Sequence, residues 1–286
     1  MHGFPSPARL ALLAIALVVS GCHGCSKKHV ATAQHKVKAV ASARIAAAPR
    51  PPPPPPPPPR NPDGSYSYAG LRYLEFVTGN ANPNEPLPMI VALHGHGGDP
   101  EMWVKTFSRF TGKARFIAPF GFHPGEHGGW AWFPAGADHA ENEHFLGQAL
   151  PGIEAHLARS LIALRKARPT TGKMIVTGFS QGGTLAYALA LFHGSAFAIS
   201  CPAAGAIPPE LFRRVTAPSP PPEVHAVHGS TDPGLPRGKR TIASLKRLGF
   251  VADMTTVPAQ GHYFEPSQRA VTLCLDRGLS LVAKNP

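Results

Sequence analysis

The chain has 286 residues, of which 43% are hydrophobic, so it can bury the core of at least one large domain. Its formal net charge of +12 is unevenly distributed: residues 1–62 contain eight Lys/Arg and no Asp/Glu, which leaves about +4 for residues 63–286. A nucleic-acid-binding domain would carry a basic face with interleaved aromatic residues, and the folded part shows none. The composition therefore argues against a nucleic-acid partner.

The first 21 residues have the features of a signal peptide. Arg9 precedes an uninterrupted apolar run, Leu10 to Val19, which is too short to span a bilayer. The exit sequence Val19-Ser20-Gly21-Cys22 resembles a bacterial lipobox, in which cleavage precedes the cysteine and its thiol is acylated. We therefore expect a lipid anchor at Cys22 in a bacterial cell envelope. The alternative is an ordinary secretory signal.

Residues 22–65 are predicted to form a basic, proline-rich tether between this anchor and a folded domain at 66–286. The nine consecutive prolines Pro51–Pro59 must adopt polyproline II, a rod of about 28 Å at roughly 3.1 Å per residue. Such a rod holds a domain away from a membrane, and the basic residues beside it could contact anionic head groups. The alternative role is docking into an aromatic-lined groove of a partner.

Cysteine usage is consistent with export. With Cys22 acylated, three cysteines remain, and Cys22-His23-Gly24-Cys25 lacks the following histidine of a haem attachment site. Cys201 and Cys274 could form a disulfide in an oxidising compartment, but the sequence leaves their pairing open. The sequence also leaves the oligomeric state open.

From residue 66 onward, short apolar runs alternate with amphipathic segments, which predicts a mostly parallel sheet with helices on both faces. The predicted strands are 71–77, 88–93, 115–119, 174–177, 196–200, 223–227 and 251–257. The predicted helices are 138–168, 184–192, 237–248 and 266–279. Pro151 should kink or break the first of these, and residues 120–137 should form an irregular segment that covers or lines a site.

Gly178-Phe179-Ser180-Gln181-Gly182 lies between a predicted strand and a predicted helix, which is the context of a nucleophile elbow. The glycines allow strand and helix to approach closely, and the turn exposes the serine hydroxyl. The alternative is a Gly-rich connection or a phosphate-binding turn.

Asp232 and His262 follow two later predicted strands, so both should reach the sheet edge where Ser180 lies. The order Ser…Asp…His is that of the α/β-hydrolases. Alternatively, Asp232 begins an Asx turn and His262 is a surface residue. Asp99, before Pro100, is predicted to cap a helix.

Residues from about 71 to 280 resemble the phospholipase/carboxylesterase branch of the α/β-hydrolases, which is related to acyl-protein thioesterases and dienelactone hydrolase. The motifs that carry the resemblance are Leu93-His94-Gly95, Gly178-Phe179-Ser180-Gln181-Gly182-Gly183, His228-Gly229-Ser230-Thr231-Asp232-Pro233, Gly261-His262 and the pair Trp132-Phe133. The resemblance implies an α/β-hydrolase fold and a serine carboxylesterase that needs no cofactor or metal. It also implies that the backbone N–H groups of Gln181 and His96 receive the oxyanion.

Histidine at position 96, followed by two glycines, departs from the leucine common in that branch and resembles secreted feruloyl esterases and polyhydroxyalkanoate depolymerases. The aromatic side chains of Trp130, Trp132 and Phe133 suit a pocket for an acyl or aryl ester, although structural packing would use them equally well. A serine peptidase and a non-catalytic surface lipoprotein are the remaining alternatives.

The histidines between residues 123 and 144 do not form a metal-binding motif, because His139 and His144 lack the spacing of H-E-x-x-H. We therefore expect no metal there.

Overall fold

The computed structural model describes residues 58–134, 143–216 and 219–285. The chain divides into two units, Met1–Pro51 and Pro52–Pro286. The first unit lies outside the described residues, and so do the signal peptide, Cys22 and most of the tether. Arg60 already pairs with Tyr66 as an isolated bridge, and Asp63 accepts hydrogen bonds from Ser65 and Arg72. Residues just before the predicted domain start thus contact the domain.

An eight-stranded sheet forms the centre of the described domain, in the order β1-β2-β4-β3-β7-β8-β9-β10. The strands are β1 Tyr66–Tyr68, β2 Leu71–Val77, β3 Met89–Leu93, β4 Arg115–Pro119, β7 Met174–Phe179, β8 Phe197–Ala203, β9 Glu223–Gly229 and β10 Ala252–Val257. The six neighbouring strands β4, β3, β7, β8, β9 and β10 pair in parallel. At the other edge, β2 runs antiparallel to β4 and β1 antiparallel to β2. The prediction of a mostly parallel sheet is confirmed.

Helices cover both faces of this sheet, as predicted. They are α1 Glu101–Phe107, α2 Glu143–Ala167, α3 Gln181–Phe192, α4 Leu235–Arg247 and α5 Gln268–Lys284, with short 3₁₀ turns at Gly194–Ala196, Pro209–Arg214 and Glu265–Ser267. In β3, Met89, Val91 and Leu93 pack with the apolar residues of α2, α3 and α4. Ile90 and Ala92 point to the opposite face, toward α1 and α5. Both faces of β3 are buried, which explains its uninterrupted apolar sequence.

Three differences from the sequence-based expectations stand out. Helix α2 continues through Pro151 without a break, and residues 138–142 of the predicted helix lie outside the described part. The edge strand β1 was not predicted. Within the segment expected to be irregular, β5 (His123–Pro124) and β6 (Trp130–Ala131) form a small antiparallel pair. Strands of two residues carry too little periodicity to be recognised from the sequence.

Hydrogen bonds stabilise two helix ends: Asp99 contacts the start of α1, although Pro100 takes the N-cap position, and Gly249 follows the end of α4. The Asp99 carboxylate accepts a hydrogen bond from the Glu101 N–H at the start of α1, which satisfies one of the free donors there. Gly249 ends α4 with φ +85°, and the Phe250 N–H donates to the Leu245 carbonyl as in a Schellman motif.

A disulfide joins Cys201 on β8 to Cys274 on α5, with a Cα–Cα distance of 5.9 Å. The pairing left open by the sequence is therefore present. It ties one covering helix to the central sheet.

Candidate active site

Ser180 lies at the turn between β7 and α3 with φ +56° and ψ −115°, a backbone conformation that non-glycine residues rarely adopt. The turn requires glycine because the backbone of β3 approaches it closely. A Cβ on Gly182 would lie 2.1 Å from the Leu93 carbonyl oxygen. The geometry is that of the predicted elbow, with the serine side chain raised above the sheet edge.

A chain of hydrogen bonds runs from this serine to two residues on later connections. The distance between Ser180 Oγ and His262 Nε2 is 2.8 Å, and that between His262 Nδ1 and Asp232 Oδ2 is also 2.8 Å. With the ionised carboxylate as acceptor, Nδ1–H donates to Asp232, which leaves Nε2 free to accept the serine O–H. The three predicted residues are thus brought together from the ends of β7, β9 and β10.

Asp232 is almost completely buried, and its carboxylate is well supplied with donors. Oδ1 accepts the Gly234 N–H at 2.7 Å, and Oδ2 faces His262 and also His228, whose Nε2 lies 3.4 Å away. Burial raises the pKa of Asp232, but His228, His262 and the Gly234 N–H together outweigh it and lower that pKa well below its ordinary value. Asp232 therefore carries a negative charge at neutral pH.

His262 is held on one side by an aromatic ring and is accessible on the other. The Phe179 ring lies 5.1 Å from the imidazole, and Phe179 is itself packed against Phe264. The His262 side chain remains 44% exposed. The imidazole is thus oriented by packing while a substrate can reach the serine beside it.

The loop between β3 and α1, residues 94–98 (the donor loop), approaches Ser180 from the opposite side. Gln181 connects the two: its Nε2 lies 3.2 Å from His96 Nδ1, and its Oε1 accepts the Trp132 N–H at 2.9 Å. Because Gln181 is the first residue of α3, its own N–H has no partner within the helix. The structure thus brings the side chains of Gln181 and His96, the residues whose backbone N–H groups were predicted to receive the oxyanion, into contact.

Residues 120–133 (the bracing segment) hold the donor loop through several hydrogen bonds. His94 Nε2 accepts the Gly121 N–H at 3.0 Å, Trp132 Nε1 donates to the His94 carbonyl at 2.7 Å, and the Trp130 N–H donates to the Gly98 carbonyl at 2.8 Å. Burial lowers the pKa of His94, against the raising effect of its contact with the Gly95 carbonyl. His94 is therefore neutral, with one ring nitrogen available as an acceptor.

The prediction that Trp132 and Phe133 line a substrate pocket is wrong. Trp132 is 0% exposed and Phe133 is 2% exposed, and both belong to the core beneath the sheet. Trp130 is half-buried and packs edge-on against Phe120. Sequence patterns alone do not distinguish the two uses, because a core and an apolar pocket require the same side chains.

Two contributors to the site were not predicted: the Gln181 side chain, expected to act only through its N–H, and the His228 imidazole. His228 belongs to the His-Gly-x-x-Asp sequence, which was considered for its aspartate alone. The sequence did indicate that His228 could lie near Asp232, because the two residues are only four positions apart.

The predictions about metal binding concern residues that are only partly described. Within residues 58–134, 143–216 and 219–285 there is no group of three or more metal-ligating side chains, and His139 lies outside these ranges. No helix in the described part is long and apolar enough to cross a membrane.

The model of the phospholipase/carboxylesterase family matches residues 76–268. Solved structures similar to this chain include esterase PE8 (TM-score 0.64, 20% identity), covering 73% of this chain and 99% of that one. A Bacillus cereus carboxylesterase follows at TM-score 0.57 and 17% identity, covering 72% and 94%. Zea mays acyl-protein thioesterase 2 has TM-score 0.52 and 22% identity, covering 72% and 98%. No curated protein matches the chain by sequence.

The elbow, the sheet order and these matches define an α/β-hydrolase. Since the family model covers about two thirds of its residues, the chain belongs to the phospholipase/carboxylesterase family. The branch expected from the sequence motifs is confirmed.

Proposed function

We propose that the protein is a serine carboxylesterase in which Ser180 is the nucleophile, His262 the general base and Asp232 its orienting partner. The observation that carries this proposal is the unbroken hydrogen-bond chain Ser180–His262–Asp232, with both links at 2.8 Å. The proposal is supported by the strained backbone of Ser180, which aims the hydroxyl away from the sheet.

In the proposed reaction, Ser180 Oγ attacks the ester carbonyl carbon while His262 Nε2 takes the hydroxyl proton. The N–H groups of Gln181 and His96 stabilise the oxyanion, each contributing on the order of 3 kcal/mol to the transition state. Collapse of the tetrahedral intermediate breaks the bond to the alcohol, which leaves with the proton from His262. Water then attacks the acyl-enzyme by the same steps and releases the acid. No metal or organic cofactor takes part.

The substrate class is an ester-like carbonyl, with feruloyl and polyhydroxyalkanoate esters as alternatives suggested by the His-Gly-Gly sequence of the donor loop. A peptidase would use the same three residues, so a comparison of peptide and ester substrates is needed to distinguish the two enzymes. A lipoprotein that only binds a partner would not need Ser180, His262 and Asp232 to be joined by consecutive hydrogen bonds.

A fluorophosphonate probe separates an enzyme from a binding module. We expect covalent labelling of wild-type protein and none of Ser180→Ala, with Ser108→Ala, which changes an exposed serine at the end of α1, labelled like wild type. A panel of short acyl, long acyl, feruloyl, thioester and peptide substrates then identifies the class. An inert Ser180, or Ser180→Ala with most of its esterase activity left, would contradict the proposal.

We further propose that acylation of Cys22 anchors the enzyme in a bacterial membrane and that the proline tract holds the domain away from it. Metabolic labelling with an alkyne fatty acid should mark wild-type protein and Cys25→Ala, but not Cys22→Ala. The Cys22→Ala protein should also leave the membrane fraction. No labelling of the wild-type protein would point to an ordinary secretory signal.

A further inference from the structure

His228 is a buried imidazole whose polar atoms are poorly satisfied. It is the last residue but one of β9 and is only 1% exposed. Within the described residues, neither ring nitrogen makes a well-directed hydrogen bond. Buried polar groups without good partners are rare in folded proteins, and when they occur they are often tied to function.

The Asp232 carboxylate faces a ring nitrogen of His228. Nε2 lies 3.4 Å from Oδ2, the same oxygen that accepts His262 Nδ1–H at 2.8 Å. Two imidazoles thus share one carboxylate oxygen, a short contact to His262 and a long one to His228. Contacts of this kind in unliganded sites often shorten when substrate binds.

The surroundings keep the His228 ring in this position. Gly238 on α4 has no side chain to displace it: a Cβ there would lie 2.8 Å from His228 Nδ1 and 2.9 Å from Met254 Cε. A Cβ on Gly234 would lie 3.3 Å from His228 Nε2 and 3.1 Å from Asp232 Oδ1. The start of α4 therefore leaves a slot that fits an imidazole beside the carboxylate.

We propose that His228 is a positioning residue that acts through Asp232 and limits how strongly this carboxylate attracts the proton on His262. Donation from His228 Nε2–H to Oδ2 keeps Asp232 ionised and aimed at His262. The same donation withdraws negative charge from the oxygen that His262 faces, so the protonated imidazole is stabilised less than by an unshared carboxylate. The proposal rests on the proposed esterase mechanism, which it refines.

The charged and titratable groups around this contact are few. Asp232 and His262 face it from the connections after β9 and β10, and Arg237 on α4 has a guanidinium nitrogen 3.7 Å from the Gly234 Cβ position. Because Arg237 is unchanged in every variant below, differences between the variants are caused by the residue at position 228.

The test compares three substitutions at position 228 in the full chain. His228→Leu removes the donor. His228→Gln places an amide near the position of Nε2, toward Asp232, and His228→Asn places it near Nδ1, away from Asp232. We expect kcat with a short acyl ester to fall about 10-fold in the Leu and Asn variants, with KM unchanged. We also expect the midpoint of the acid limb of kcat/KM to rise by about 0.5 pH unit in both.

His228→Gln should restore most of kcat and return the midpoint to that of wild type. A merely structural role would lower kcat without moving the midpoint and without distinguishing Gln from Asn, and that result would overturn the proposal. So would a wild-type profile in the Leu variant. If the Leu variant does not fold, the comparison of Gln with Asn decides the same question.

A second measurement separates this proposal from the proposed function. NMR titration of the His262 imidazole, identified by its loss in His262→Asn, needs no substrate. If wild-type protein is inert toward esters and the probe, the proposed function fails. The titration midpoint of His262 in the Leu, Asn and Gln variants still tests the role of His228, and equal midpoints in all of them would contradict it.

Discussion

Ser180 lies between two regions that are organised on different principles. On one side, His262 contacts the serine hydroxyl at 2.8 Å, and Asp232 contacts His262 at 2.8 Å; both residues follow the ends of parallel strands. On the other side, the donor loop is held by the bracing segment and by the Gln181 side chain. In the proposed mechanism the side chains that move the proton come from the first region, whereas the aromatic side chains of the second region support a backbone.

The largest expected effect is in the strand-end region. Asp232→Asn should lower kcat by about 10⁴-fold, because the amide supplies N–H donors to His262 and favours the wrong imidazole tautomer. The folded structure should persist, since the substitution is isosteric. Steady-state kinetics with far-UV circular dichroism check this. Activity within tenfold of wild type would mean that Asp232 is not the residue that orients His262.

Trp132→Ala should act mainly on stability. Removal of this fully buried ring should lower the free energy of unfolding by about 3–5 kcal/mol. The preference among acyl chain lengths should stay as in wild type, because the ring is not accessible to substrate. Urea denaturation and an ester panel measure the two effects.

Trp130→Ala is the matched control, because this ring is half-buried and its backbone N–H contact to Gly98 is kept. It should cost less stability than Trp132→Ala. If Trp132→Ala changed the acyl preference and left stability unchanged, Trp132 would line a substrate pocket, as the sequence predicted.

Gln181→Met tests the link between the two regions. Methionine has a similar length but makes no hydrogen bond to His96 or Trp132, while the backbone N–H of residue 181 is retained. We expect kcat to fall about 10-fold, less than the 10²–10³ typical of a lost oxyanion donor, with KM unchanged. An unchanged kcat would mean that the donor loop holds its position without Gln181.

The smallest expected effect is a pH dependence of stability from His94. Burial lowers its pKa from 6.5 in the folded state, so the unfolded chain binds more protons once the pH falls below 6.5. The free energy of unfolding should therefore decrease between pH 7 and pH 5. Urea denaturation at several pH values measures it, and His94→Gln should show a smaller decrease than wild type.

Much of the fold was predictable from short-range patterns. The seven predicted strands are all present with ends shifted by up to three residues, because apolar runs of four to seven residues between glycines and helices leave few other solutions. Likewise the elbow was predictable, since its glycines and serine are adjacent in the chain. The continuity of α2 through Pro151 was not, because packing against the sheet offsets the local cost of the proline.

The sequence by itself determined the order of strands and helices, the elbow at Ser180, the motifs around Asp232 and His262, and the family. These depend on local periodicity and on residues close together in the chain. Only the tertiary structure decided that Trp132 belongs to the core, that Gln181 joins two loops, that Cys201 pairs with Cys274 and that two imidazoles share the Asp232 carboxylate. Each of these depends on how side chains are oriented where distant segments meet, and a linear pattern does not contain that information.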